Sequence, residues 1–323
     1  MSVLALTWMD QRRTQELCAG LNLELVVLKT RRRGLLRYLV LGSRTVALLA
    51  RRRVQVLLVQ NPSLVLAALA VLLRGVLGYH LIVDAHNEAV DPYINQQRWI
   101  RRLSRWVIRK SDLTIVSNRH LADIVSGCGG HPFTLPDPVP VPPPGVASAL
   151  GGAFNVVLIA THARDEPVAQ IFEAVRGTDI QLYVTGNPSR LAPALAANVP
   201  ANVRLTGFLP DAEYWALLRS ADGIVDLTLM DDCLVSGAYE ALAVGTPMLL
   251  SNNRASVELF GEAATFTDNT APDIRRALEL LRSRRDKLRL AAELKRRELG
   301  ERWSASARDL ASVINREQVP ASR

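Results

Sequence analysis

Two carboxylates eight positions apart, Asp232 and Glu240, bracket three small residues, Ser236-Gly237-Ala238, in the stretch 231–247. An apolar run, Gly223 to Leu229, precedes them and reads as a buried strand. The small residues fall where a helix should begin. Such a helix N-terminus offers free backbone N–H groups and a positive dipole end to an anion. Carboxylates on either side accept hydrogen bonds from vicinal hydroxyls. A phosphate flanked by hydroxyl acceptors suits a sugar nucleotide. The plainer reading is an ordinary strand–loop–helix turn.

A second group stands in the first half, in Leu81-Ile-Val-Asp84-Ala-His86-Asn-Glu88. It sets polar residues at and beyond a strand end. His86 is suited to accept a proton near neutral pH or to bond a hydroxyl, and Asp84 to orient it. The alternative is a structural His–Asp pair. Cys18, Cys128 and Cys233 lack metal or disulfide spacing, and reduced thiols in a cytoplasmic protein follow. No metal site is read. The start, Met1 to Trp8, reads as a strand and not as a signal peptide.

The elements that must hold these residues alternate. Val3–Trp8, Leu23–Leu28, Val54–Gln60, Leu81–Asp84 and Leu113–Ser117 read as strands, with helices between them at 12–20, 35–51, 64–77, 97–110 and 121–125. Val54–Leu73 is apolar, but Gln60-Asn61-Pro62-Ser63 interrupts it short of a membrane span. Six prolines between Pro136 and Pro144 allow neither helix nor central strand and read as a stiff linker. The alternation then restarts. Strands are expected at 155–160, 181–185, 203–206, 223–229, 248–251 and 264–266, and helices at 168–175, 211–220, 238–244 and 272–285. The fold class is α/β, with two Rossmann-like parallel-sheet domains facing across a cleft. They are placed at 1–145 and 146–300, with a helix at 301–323 crossing back to the first. No Gly-x-Gly-x-x-Gly turn or Walker loop is present, which argues against dinucleotide oxidoreductases and P-loop enzymes.

The charge is uneven. Residues 1–150 carry 19 Lys/Arg against 9 Asp/Glu, the remainder 20 against 22. Arg98, Arg101, Arg102, Arg105, Arg109 and Lys110 recur at helical spacing with Trp99 and Trp106 among them. A basic helix of this kind suits an anionic membrane surface. The other reading is a solvated helix packed on its own sheet. No recognition motif accompanies the charge, so nucleic acid is not an expected partner.

The stretch 231–247 resembles the donor signature of GT-B glycosyltransferases, especially family 4. There an acidic residue, seven others and a Glu precede Ala-x-x-x-Gly-x-Pro. Glu240 takes the second acidic place, and Asp232 stands where Glu is usual. The stretch around Asp84 and His86, and the turn Thr161 to Glu166, also resemble β-mannosyltransferases that extend lipid-linked chitobiose. The resemblance implies a metal-independent hexosyltransferase with no cofactor beyond its nucleoside-diphosphate-sugar donor. Its acceptor would be a lipid-linked or polysaccharide glycan at the cytoplasmic membrane face. It implies that Glu240 holds the ribose and Asp232 the transferred sugar, and that Ser236, Gly237 and Ala238 face the diphosphate. Thr161 would bond a donor phosphate, while Asp165 and Glu166 cap the next helix. Gly186 and Asn187 would lie beside the nucleotide, and Phe208 and Leu209 would hold the base through backbone groups. His86 and Asp84 would serve the chemical step. Two other readings stay open: a sugar-nucleotide epimerase or hydrolase, and a non-catalytic subunit that binds a membrane or partner.

Overall fold

The computed structural model describes residues 2–61, 63–85, 87–91, 97–147 and 149–316. His86 lies outside the described residues. The chain divides into two compact units. One runs to Pro138 and takes in the chain from Glu301 onward. The other is Val139–Gly300.

The first unit holds six strands: β1 (Ser2–Thr7), β2 (Glu24–Val27), β3 (Val54–Asn61), β4 (His80–Ala85), β5 (Leu113–Val116) and β6 (Pro132–Thr134). All are parallel, in the order β2-β1-β3-β4-β5-β6. β3 reads Val-Gln-Val-Leu-Leu-Val-Gln-Asn and is buried along nearly its whole length, as a strand covered on both faces should be. Helices Gly34–Arg51, Leu64–Leu77 and Arg98–Lys110 cover one face around Leu57, Leu66 and Leu81. Helix Arg12–Gly20 and the end of the last helix cover the other, around Leu58, Ile82 and Leu310.

The second unit holds β7 (Phe154–Leu158), β8 (Ile180–Thr185), β9 (Val203–Gly207), β10 (Gly223–Asp226), β11 (Met248–Ser251) and β12 (Ala264–Thr267). They too are parallel, in the order β12-β11-β10-β7-β8-β9. Each sheet therefore reverses its strand order once, between β1 and β3 and between β7 and β10. Ligands of open α/β sheets sit beyond the carboxyl ends of the strands at such points.

Several expectations need correction. β10 stops at Asp226, not Leu229, because Leu227 to Val235 form the loop into the helix. β6 was not foreseen, since proline opens it; it pairs only with β5, at the sheet edge, where a missing N–H is tolerated. The helix Arg254–Phe260 was also missed. The last helix is one rod of 32 residues, Arg285–Arg316. The proline run forms neither helix nor strand, and the second unit begins inside it, at Val139. No helix among the described residues is long and apolar enough to cross a membrane.

Candidate functional site

In the second unit the helix Ser236–Val244 starts ten residues after β10 ends. Asp226, the last residue of β10, is buried and accepts the Gly237 N–H at 2.8 Å. A Cβ on Gly237 would lie 2.4 Å from that carboxyl oxygen and 2.8 Å from Ile159, so only glycine fits here. Burial pushes the Asp226 carboxyl well above the usual carboxylate range. The Gly237 N–H opposes this, and nearby Glu166, Glu240 and Asp165 add to it. Asp226 escaped the sequence reading because one acid at the end of an apolar run carries no motif.

The helix N-terminus is partly engaged from within. Besides Gly237, the Ala238 N–H reaches Val235 O at 3.3 Å, while Ser236 is exposed. Glu240, one turn into the helix, is half-buried and accepts the Tyr214 hydroxyl from helix Asp211–Ser220. Asp232 pairs with Arg254 at 3.3 Å, and the arginine is 65% exposed. Arg254 thus brings a cation to the loop before the helix.

The turn after β7 is tied differently from the expectation. Thr161 donates its N–H to both oxygens of Glu166 at 3.0 and 3.1 Å and its hydroxyl at 2.6 Å. Neither Asp165 nor Glu166 caps helix Val168–Val175, whose N-cap is Pro167. Glu166 instead closes its own turn, and Asp165 accepts the Thr228 hydroxyl at 2.9 Å, joining the loops after β7 and β10. The adjacent His162 has a left-handed φ of 56°. Neither of its buried ring nitrogens has a hydrogen-bond partner among the described residues. Burial pushes this imidazole below its ordinary range, with Glu166 opposing and Arg190 reinforcing the shift.

Gly186 directly follows β8 with φ +89°, and a Cβ there would meet Ala160 O at 2.1 Å. Asn187 accepts the Ser189 N–H at 3.0 Å and starts the turn Pro188–Arg190. Beyond β9, Phe208 is 87% exposed, and Leu209 packs on the core. The sequence-predicted residues of this half thus gather at the carboxyl ends of β7 to β10.

In the first unit Asp84 is fully buried near the end of β4. Arg13 Nη2 donates to it at 2.9 Å, and Arg13 Nε reaches both its oxygens at 3.3 Å. Arg13 also pairs with Asp137 and donates to Leu135 O. The Arg13 guanidinium is thus one partner of Asp84, which the sequence reading missed because 71 residues separate the two. Beside it, Thr7 ends β1 and donates to Gln60 of β3 at 2.7 Å. No group of three or more His, Cys, Asp or Glu among the described residues is placed to hold a metal ion.

No family profile matches the chain, and no curated protein does. Solved structures do. The chain is similar to sucrose-phosphate synthase from Thermosynechococcus elongatus, with TM-score 0.79 and 15% identity over 98% of this chain and 99% of that one. It is similar to Anabaena HepE in complex with UDP and glucose, with TM-score 0.73 and 12% identity over 98% and 99%. It is also similar to a Listeria monocytogenes protein assigned as UDP-N-acetylglucosamine 2-epimerase, with TM-score 0.63 and 15% identity over 97% and 96%. At such identities the likeness is one of fold. The fold class is GT-B, two Rossmann-like α/β domains in one chain.

Proposed function

We propose that the chain is a glycosyltransferase that moves a hexosyl group from a nucleoside-diphosphate sugar to a glycan acceptor. The observation that carries this reading is Glu240, oriented by Tyr214, one turn into the helix that starts over Asp226 at the strand-order reversal of the second sheet. A hydroxyl acceptor stands there next to a helix N-terminus, with Arg254 and Asp232 on the loop before it. The similar HepE was solved with UDP-glucose, which supports a donor of that class.

In this reading Glu240 accepts the ribose hydroxyls, Asp232 the hydroxyls of the transferred sugar, and Gly186, Asn187, Phe208 and Leu209 border the nucleoside. The acceptor hydroxyl forms a bond to the anomeric carbon as the bond to the diphosphate breaks. Negative charge then builds on the leaving diphosphate. Fixed dipoles and the Arg254 guanidinium stabilise it without a metal. Thr161 and Glu166 hold the turn beneath that charge. His86 and Asp84 belong to the acceptor side of the reading. The acceptor is a lipid-linked or polysaccharide glycan reached at the cytoplasmic membrane face, with the arginines of helix Arg98–Lys110 drawn to anionic lipid.

Calorimetric titration of a nucleoside-diphosphate-sugar panel into the protein tests this. At least one should bind, with nucleoside diphosphate released only when a glycan acceptor is present. Release or isomerisation without acceptor would favour the epimerase or hydrolase reading, which the likeness to a 2-epimerase fold keeps in play. Absence of binding by every sugar nucleotide would overturn both and leave a non-catalytic binding protein.

A further inference from the structure

Asn61 ends β3, on one side of the strand-order reversal of the first sheet. It is 1% exposed, yet neither its amide oxygen nor its amide nitrogen has a hydrogen-bond partner among the described residues. A buried carboxamide left unpaired is destabilising, since it gives up its bonds to water and gains none in return. Native chains rarely keep such a group without a use. Here it borders a cavity of about 270 Å³. The cavity walls are mostly apolar, from Tyr38, Leu64, Val65, Trp99 and Leu103, and Glu88 and two serines also line it. Trp99 is 61% exposed, and Tyr38 and Val65 are also open to solvent, so the walls run from surface to polar floor.

We infer that this cavity binds the end of a neutral, hydroxyl-bearing amphiphile, such as the terminal sugar of a glycolipid. The chemistry selects that class. A carboxamide both donates to and accepts from hydroxyls, and a carboxyl group accepts from them. Aromatic and aliphatic walls suit the apolar face of a sugar ring and an alkyl segment. A sulfate head carries no hydroxyl to donate and would leave the Asn61 amide oxygen unpaired. The two helices that supply Tyr38, Leu64 and Val65 also carry exposed apolar residues: Leu35, Leu36 and Leu39 on helix Gly34–Arg51, and Leu72 and Val76 on helix Leu64–Leu77. The inference rests on the glycosyltransferase reading only in naming this ligand as acceptor; the cavity and its preference stand on their own.

The test is calorimetric titration of octyl glucoside, octyl galactoside and octyl mannoside below their micelle-forming concentrations. Octyl sulfate serves as a control with the same tail and an anionic head. At least one glycoside should bind saturably, and octyl sulfate at least tenfold more weakly. Asn61→Leu should weaken glycoside binding at least tenfold while leaving the melting temperature unchanged or higher, since it removes an unpaired buried amide. Should that variant fail to fold, Val65→Trp at the partly exposed rim should block the cavity to the same extent. Binding by none of the glycosides, equal binding of octyl sulfate, or full binding by the substituted protein would overturn the inference. Sugar-nucleotide titration of the same preparations separates the two readings. Intact donor binding with no glycoside binding sinks only the cavity assignment. Glycoside binding with no donor binding sinks only the glycosyltransferase.

Discussion

Tyr214 donates to Glu240, so the carboxylate is already aimed before any ligand arrives. Loss of a charge-assisted hydrogen bond to ribose weakens binding by about 1.5–3 kcal/mol. Glu240→Ala should therefore raise the donor dissociation constant about tenfold or more in calorimetry. Tyr214→Phe, which removes only the orienting bond, should do less. Unchanged affinity in a folded Glu240→Ala protein would remove Glu240 from the site. Asp226 makes a prediction about pH. Its folded pKa lies well above the ordinary 3.8, so between those two values the folded state holds a proton that the unfolded state has lost. Stability from this group is complete below the ordinary value and declines as pH rises through the window. Asp226→Asn still offers Gly237 an acceptor but does not titrate. Its melting temperature should fall less steeply above pH 4 than that of the unaltered protein, and parallel curves would show that Asp226 is not the group responsible. Asp232 and Glu240 were legible in the sequence because one local motif contains both. Asp226, Arg254, Arg13 and His162 were not, because their meaning depends on partners that only the folded chain brings near.

At the scale of elements, the helix Ser236–Val244 shows where local propensity yields to packing. Alanine is favoured over glycine in a helix by about 1 kcal/mol. At Gly237 the added methyl would press on Asp226 and Ile159. Overpacking costs about 1–3 kcal/mol. Gly237→Ala should thus lower the melting temperature and disturb donor binding together; a more stable variant with normal binding would contradict the close fit. The pattern of the basic helix Arg98–Lys110 leaves two readings open, a membrane surface or a solvated helix packed on its own sheet. Its apolar side, Trp106, Val107 and Ile108, packs on the unit's own core, and Trp99 alone among its large apolar residues is well exposed. Period and composition cannot tell a core-facing stripe from a membrane-facing one. Three exposed leucines, Leu35, Leu36 and Leu39, sit instead on helix Gly34–Arg51, directly after Arg31-Arg32-Arg33. Liposome flotation should therefore show two parts. Replacing Arg98, Arg101, Arg102, Arg105 and Arg109 by Gln should reduce recovery with anionic lipid, by roughly 1 kcal/mol per charge near the surface. Replacing Leu35, Leu36 and Leu39 by Ser should reduce what remains in high salt, where charge attraction is screened. Equal recovery with neutral and anionic vesicles would make the arginines mere solvated surface.

Over the whole molecule, the alternation of apolar runs and helical patterns was enough to read two parallel α/β sheets, because strands covered on both faces are continuously apolar. The edges were harder: β6 is short, opens with proline, and is half-exposed, so it has no apolar signal. Of the last helix only the end, from 301 onward, was legible, because its pattern changes along its length. Leu288, Ala292 and Leu299 pack in clusters of the second unit, and Leu310 and Ile314 in a cluster of the first. That division of one helix between two cores yields a further prediction. Leu310 is fully buried among first-unit residues, Leu278 among second-unit residues. Each, changed to Ala, should cost about 2–5 kcal/mol. A donor held only by the second unit stabilises that unit by about 2.7 kcal/mol at a hundredfold excess over its dissociation constant. Calorimetric melts should then show Leu278→Ala rescued by sugar nucleotide and Leu310→Ala not, with donor affinity in Leu310→Ala within about twofold of the unaltered protein, a margin of under 0.5 kcal/mol. If a single transition moves equally in both variants and donor rescues both alike, the 32-residue helix couples the two cores into one cooperative unit.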